Sequence, residues 1–176
     1  VDVGSLGDDW NIRMKAESVG YAGSGSGVQG MVYVGLVEDT TSTGHNGNGH
    51  GPTQQWIDEH NLGIVLGARY GDGSNLAGRV VEGGSIMTGG TTWGSSSSYI
   101  DMADNGSTVY LELKLEGGYN GGTFSATTYT DDTYTTVYGG GNNGANTNSI
   151  TTGTASPNNI NKDLTMLVFK QPTSAA

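Results

Sequence analysis

The residues best suited to chemistry in this chain are its carboxylates. Four sequence-adjacent pairs occur: Asp8/Asp9, Glu38/Asp39, Asp58/Glu59 and Asp131/Asp132. Glycoside cleavage needs two carboxylates, about 5–5.5 Å apart for retention or about 6.5–9.5 Å for inversion. Neighbours on a strand point to opposite faces. In a turn they solvate the loop or cap a backbone N–H. Glu112 and Glu116 share one face of a strand pattern with Lys114 between them, but no third carboxylate is in register. No catalytic residue emerges, and the expectation is a protein that is not an enzyme.

The three histidines are His45, His50 and His60, and "GHNGNGHG" invites a metal. Structural zinc closes a tetrahedron with four ligands. Two imidazoles in a Gly/Asn segment, with no cysteine and no nearby acid, do not supply them. A polar loop is the simpler reading.

Calcium suits the composition better, since it takes six to eight oxygens from Asp, Asn and backbone carbonyls. Candidate ligands are Asp72 and Asn75 in "YGDGSN", Asp101 and Asp104 in "DMADNGS", and Asp131 and Asp132 in "TDDT". None has EF-hand spacing, and Asp-Gly and Asn-Gly are also ordinary turn chemistry.

Sugar binding needs an aromatic platform beside hydrogen-bonding side chains. Trp56, Trp93 and Tyr99 lie in loop-rich segments, and Tyr70 and Tyr129 add to them as candidate ligand-binding residues. Tyr119, Tyr134 and Tyr138 are further aromatics of the same kind. The competing reading for each is burial in the core or at its rim. "NGS" at 105–107 is the one N-x-[ST] acceptor pattern. The Gly-rich segments "GSGSG" and "GGGNNG" lack the contexts of phosphate cradles.

The composition limits what could position these groups. The 176 residues include 32 Gly, 3 Pro and no Cys, and the formal net charge is −10. Disulfides and thiolate metal sites are excluded. The acidic balance disfavours nucleic acid and anionic membranes. No apolar run reaches the roughly 20 residues of a spanning helix. The chain begins at Val1 and shows no signal peptide, which suggests a processed chain or a piece of a longer one. The length suits a single domain over 1–170, with "QPTSAA" at 171–176 as a tail or linker.

Hydrophobic patterning places strands throughout. "WNIRMKA" (10–16) alternates, with Trp10, Ile12, Met14 and Ala16 inward. "VQGMVYVGLVE" (28–38) is nearly continuous, as for a strand buried on both faces. "LGIVLGARY" (62–70) is a strand, "GDGSN" a turn, "AGRVVEGG" a short strand, and 98–102 another. "WIDEHN" reads as a short helical turn or as a strand lead-in. In "VYLELKLEGGYNGGTFSATTYTDD" (109–132) alternation runs to a Gly-rich turn and resumes. Leu111, Leu113 and Leu115 form one face; Tyr110, Glu112, Lys114 and Glu116 form the other. "TYTTVYGG" continues as an extended piece. Residues 139–159 read as a long loop with an edge strand as the alternative, and "LTMLVFK" (164–170) closes the domain.

Many short strands with turn signals and almost no helix predict an all-β, two-sheet antiparallel β-sandwich. The segments "YLELKLEGG" and "FSATTYTDD" resemble paired strands of the concanavalin A-like lectin/glucanase superfamily, which includes laminin-G-like jelly rolls. The resemblance covers roughly residues 8–170. It implies a concanavalin-like jelly roll of the kind found in carbohydrate-binding modules, adhesins and phage or virion surface proteins. The glucanase E-x-D-x-x-E strand is missing, and the legume-type metal ligands have no counterpart. The implied protein is a non-catalytic extracellular or virion-surface module. It would bind a glycan or cell-surface polysaccharide, with at most a calcium ion as cofactor. The alternative is a structural subunit that assembles with its own copies or with capsid proteins.

Overall fold

The computed structural model describes residues 3, 4, 6–19, 32–37, 61–69, 72–82, 85, 86, 100–104, 106–139, 147–153, 164 and 166–170. Among them every regular element is a strand: β1 (Trp10–Val19), β2 (Val32–Val37), β3 (Asn61–Arg69), β4 (Asp72–Glu82), β5 (Ser85–Ile86), β6 (Ile100–Asp104), β7 (Ser107–Glu116), β8 (Thr123–Tyr129), β9 (Thr147–Thr151) and β10 (Met166–Lys170). All pairings between them are antiparallel.

One sheet runs in the order β1-β7-β8-β9. Its register builds rows of side chains across the strands. Trp10, Leu115, Phe124 and Ile150 make one buried row, and Ile12, Leu113 and Ala126 begin the next. Because side chains alternate, the intervening rows face outward. Arg13–Glu112–Thr127–Thr147 is one and Asn11–Lys114–Ser125–Ser149 another.

The β7–β8 turn is fixed by glycine. A Cβ on Gly122 would lie 2.3 Å from the Gly118 carbonyl oxygen and 2.5 Å from that of Glu116. No side chain fits between those backbone atoms. The N-terminal segment is tied to the same turn. Gly117 N–H donates to Asp9 Oδ1 at 2.7 Å, and Gly118 N–H to the Asp8 carbonyl at 2.9 Å. Asp9 thus caps a turn, one of the two roles expected of adjacent carboxylates outside a strand.

The remaining strands pair in the order β10-β2-β3-β4-β5, with β6 also on β4. Their buried side chains Val34, Leu36, Leu62, Ile64, Leu66, Val80 and Met102 join those of β1, β7, β8 and β9 in one hydrophobic cluster. Each fully buried Leu, Ile or Phe contributes about 1.5–3 kcal/mol relative to exposure. Gly78 in β4 lets β6 approach. A Cβ there would lie 2.6 Å from Met102 Cγ and 2.8 Å from Ile64 Cδ1. The buried Thr128 hydroxyl donates to the Met102 carbonyl, a polar link from β8 to β6.

Three sequence expectations change. "GDGSN" is not a five-residue turn: Asp72–Asn75 belong to β4, and Asp72 pairs with Arg69. "TYTTVYGG" is not an extended strand but a loop, closed by the Thr130–Thr136 hydrogen bond and a single Tyr129–Val137 bridge. Within 139–159 the edge-strand option holds for Thr147–Thr151. The proposed turn at 56–61 lies outside the described residues apart from Asn61, which opens β3.

Candidate functional site

The outer rows of β1, β7 and β8 converge on Glu112. On sequence alone this residue lines a solvent face, yet it is buried, with 7 % exposure. Its side chain stays charged because donors surround it. Asn11 Nδ2 and Arg13 Nε each donate to Oε1 at 2.8 Å, and the Tyr129 hydroxyl donates to Oε2 at 3.0 Å. Burial is the largest single influence and opposes ionisation. The three hydrogen bonds and the Arg13 charge together outweigh it, so the carboxyl sits below its ordinary range. The hydrogen bond from Arg13 likewise holds the guanidinium in its charged form. Burial, then the bond to Glu112, pushes the Tyr129 phenol up.

A tyrosine set roofs this network. The Tyr134 ring stands under the guanidinium of Arg13, 4.8 Å from Cζ to the ring centroid. It meets Tyr110 and Tyr129 edge-on, at centroid distances of 5.8 and 5.5 Å. Tyr134 has φ +56°, the left-handed region that a bulky side chain rarely adopts. Such a conformation costs on the order of 1–3 kcal/mol and persists where neighbours enforce it.

The neighbour responsible is Asp131. Its Oδ1 accepts from Thr133 N–H at 3.0 Å and Thr135 N–H at 3.3 Å, and its Oδ2 from Thr136 N–H at 2.6 Å. The Thr133 hydroxyl also donates to Oδ1. That hydroxyl is the strongest influence holding the Asp131 carboxyl far below its usual range, with the backbone N–H bonds adding to it. The loop that carries Tyr134 is therefore wound around one carboxylate.

Around the network the charges pair locally. Lys15 bonds Glu17 at 2.5 Å and Lys114 bonds Glu116 at 2.7 Å. Arg13 is half exposed at its side chain. Its two terminal nitrogens have no protein partner among the described residues. Glu112 and Glu116 lie four residues apart on one strand, roughly 13 Å by strand rise. That exceeds the separation of either glycosidase geometry.

Of the aromatics expected to bind ligand, Tyr129 falls within this face, half-buried, with its hydroxyl on Glu112. Trp56, Tyr70, Trp93 and Tyr99 lie outside the described residues. Of the expected calcium ligands, Asp131 is engaged by its own loop and Asp132 is exposed. Backbone register sets Asn75 opposite Asp104, Asp101 opposite Ala77 and Asp72 opposite Arg69. Among the described residues no group of three or more His, Asp or Glu side chains is placed to hold a metal ion.

Alternation alone assigns Arg13, Asn11 and Glu112 to solvent and gives them no role. The available signal is pairing: once β1 lies antiparallel to β7, Arg13 stands opposite Glu112. Comparison with family models, with curated proteins and with solved structures gives no match.

Proposed function

We propose that the protein is a non-catalytic carbohydrate-binding or adhesive module of an extracellular or virion surface. We also infer that its strands form a two-sheet, concanavalin-like jelly roll. The fold inference is supported by two sets of antiparallel strands that share one hydrophobic cluster.

The observation that carries the functional proposal is the partly buried group of Tyr110, Tyr129 and Tyr134 beside Arg13, on the outward rows of β1, β7 and β8 and the loop that follows β8. Tyrosine rings stack on the apolar face of a pyranose, and fixed polar groups orient its hydroxyls. Here the rings and the guanidinium are held by the Glu112 and Asp131 networks. Little conformational entropy then remains to be lost on binding. Glu112 already accepts three hydrogen bonds, which suits a structural role rather than proton transfer.

Binding of the purified protein to a glycan array, in calcium and in chelator, tests the proposal. Saturable binding that is lost in Tyr110→Ala with folding intact supports it, and chelator sensitivity adds a metal. Trp56→Ala and Trp93→Ala decide whether those side chains share the site. A folded protein that binds no glycan in either condition points instead to a structural subunit that assembles with copies of itself or with a capsid.

A further inference from the structure

The chain has seven Lys and Arg residues against seventeen Asp and Glu. Three of the seven, Arg13, Lys15 and Lys114, lie on the outward rows of β1 and β7. The outward rows of these two strands therefore carry three bases beside three acids, Glu17, Glu112 and Glu116, with Asp131 and Asp132 in the adjoining loop. Arg13 is the specialised member. Its Nε is fixed by Glu112 and its plane by the Tyr134 ring, while its terminal nitrogens have no partner among the described residues. Two N–H groups, one from each terminal nitrogen, are thus presented along the outer edge of a guanidinium that cannot readily turn. That edge matches the two oxygens of a carboxylate in a planar, bidentate pair. Lys15 lies two residues along the same strand face, roughly 6.8 Å away by strand rise. Its contact with Glu17 is exposed, and such pairs hold weakly.

Resting on the glycan-binding proposal, we propose that the bound saccharide carries a carboxylate and that the free edge of Arg13 reads it. The ligand class is then uronic-acid oligosaccharides. The tyrosines would meet the sugar ring and Arg13 the acid group. Asn11 and Glu112 act as positioning residues, through Arg13.

The test is calorimetric binding of short oligomers of galacturonate, glucuronate, mannuronate and guluronate, each against its own methyl ester. About 0.15 M salt screens the acidic chain beyond roughly 8 Å. At least one acid form is expected to bind about tenfold or more tighter than its ester. In Arg13→Lys, which keeps the charge but loses the fork, that ratio falls to within about twofold. Equal binding of acid and ester by the wild-type protein overturns the inference and leaves the glycan proposal standing. No binding of any oligomer or ester by folded protein overturns the inference, and the glycan array then decides the broader proposal on its own. A preference that survives in Arg13→Lys overturns the assignment to Arg13. The wild-type comparison needs no variant, so it stands even if Arg13→Lys folds poorly.

Discussion

Arg13 and Glu112 face each other across β1 and β7, Nε to Oε1 at 2.8 Å, one half exposed and the other buried. The pair joins the edge strand to the centre of its sheet. It leaves the outer side of Arg13 open and shields the carboxylate beneath. The asymmetry matters energetically: an exposed ion pair is worth little, but a buried charge that loses its donors is costly.

Glu112→Gln should therefore lower stability by about 1–3 kcal/mol at neutral pH, measured by urea denaturation. The folded-state carboxyl sits below its ordinary value of about 4.3. Its contribution is thus complete above that value and is lost as pH falls through the lower folded value. The gap between wild type and Glu112→Gln should be constant above about pH 5 and shrink below about pH 4. A gap that persists undiminished to pH 2 contradicts the network.

Gly122→Ala should prevent cooperative folding, because the added carbon meets only backbone atoms at 2.3–2.7 Å. Gly121 has φ +87° but open space around it. Its replacement by Ala should cost only about 1–2 kcal/mol of left-handed strain. Thermal melts of the two variants, one residue apart, separate collision from strain.

Gly78→Ala should destabilise by about 1–3 kcal/mol through overpacking. Met102→Ala, which empties the space beside it, should cost about 2–5 kcal/mol. Because the new methyl fills part of the vacated volume, the double variant should lose at least about 1 kcal/mol less than the sum. Additive losses would mean that β4 and β6 do not approach as described.

Asp131→Ala should release the loop without melting the sheet. Amide exchange at Thr133, Thr135 and Thr136, whose N–H groups the carboxylate accepts, should quicken sharply. Amides of β7 and β8 should keep their protection. Unchanged exchange in the loop would show that the carboxylate does not hold it.

These outcomes depend on features of unequal legibility in the sequence. Strict alternation makes the Leu111, Leu113 and Leu115 face and the return strand at Phe124 readable from residue order alone, since burial selects every second residue. Alternation puts Trp10 in the core for the same reason, and it is buried there, its Nε1–H donating to the Tyr119 hydroxyl at 2.9 Å. Asp72–Asn75 mislead because Asp, Gly, Ser and Asn are turn residues by local chemistry, yet pairing with β6 draws Asn75 into a strand. The binding face is the least legible part. Alternation assigns Glu112 to the outer face correctly but cannot say that Asn11, Arg13 and Tyr129, from two other strands, will close over it. Tyr134 in a left-handed conformation depends on Asp131 and on rings more than twenty residues away in the case of Tyr110.

The most direct test of the account is nuclear magnetic resonance mapping with the soluble oligosaccharide that binds best on the array. Perturbations should concentrate on the Tyr110, Glu112 and Tyr134 amides and the Arg13 Nε–H, and should vanish in Tyr134→Gly with the fold retained. Perturbations confined to other residues, or none with any oligosaccharide, would contradict the claim that this face of the β1-β7-β8-β9 sheet is where the protein meets its ligand.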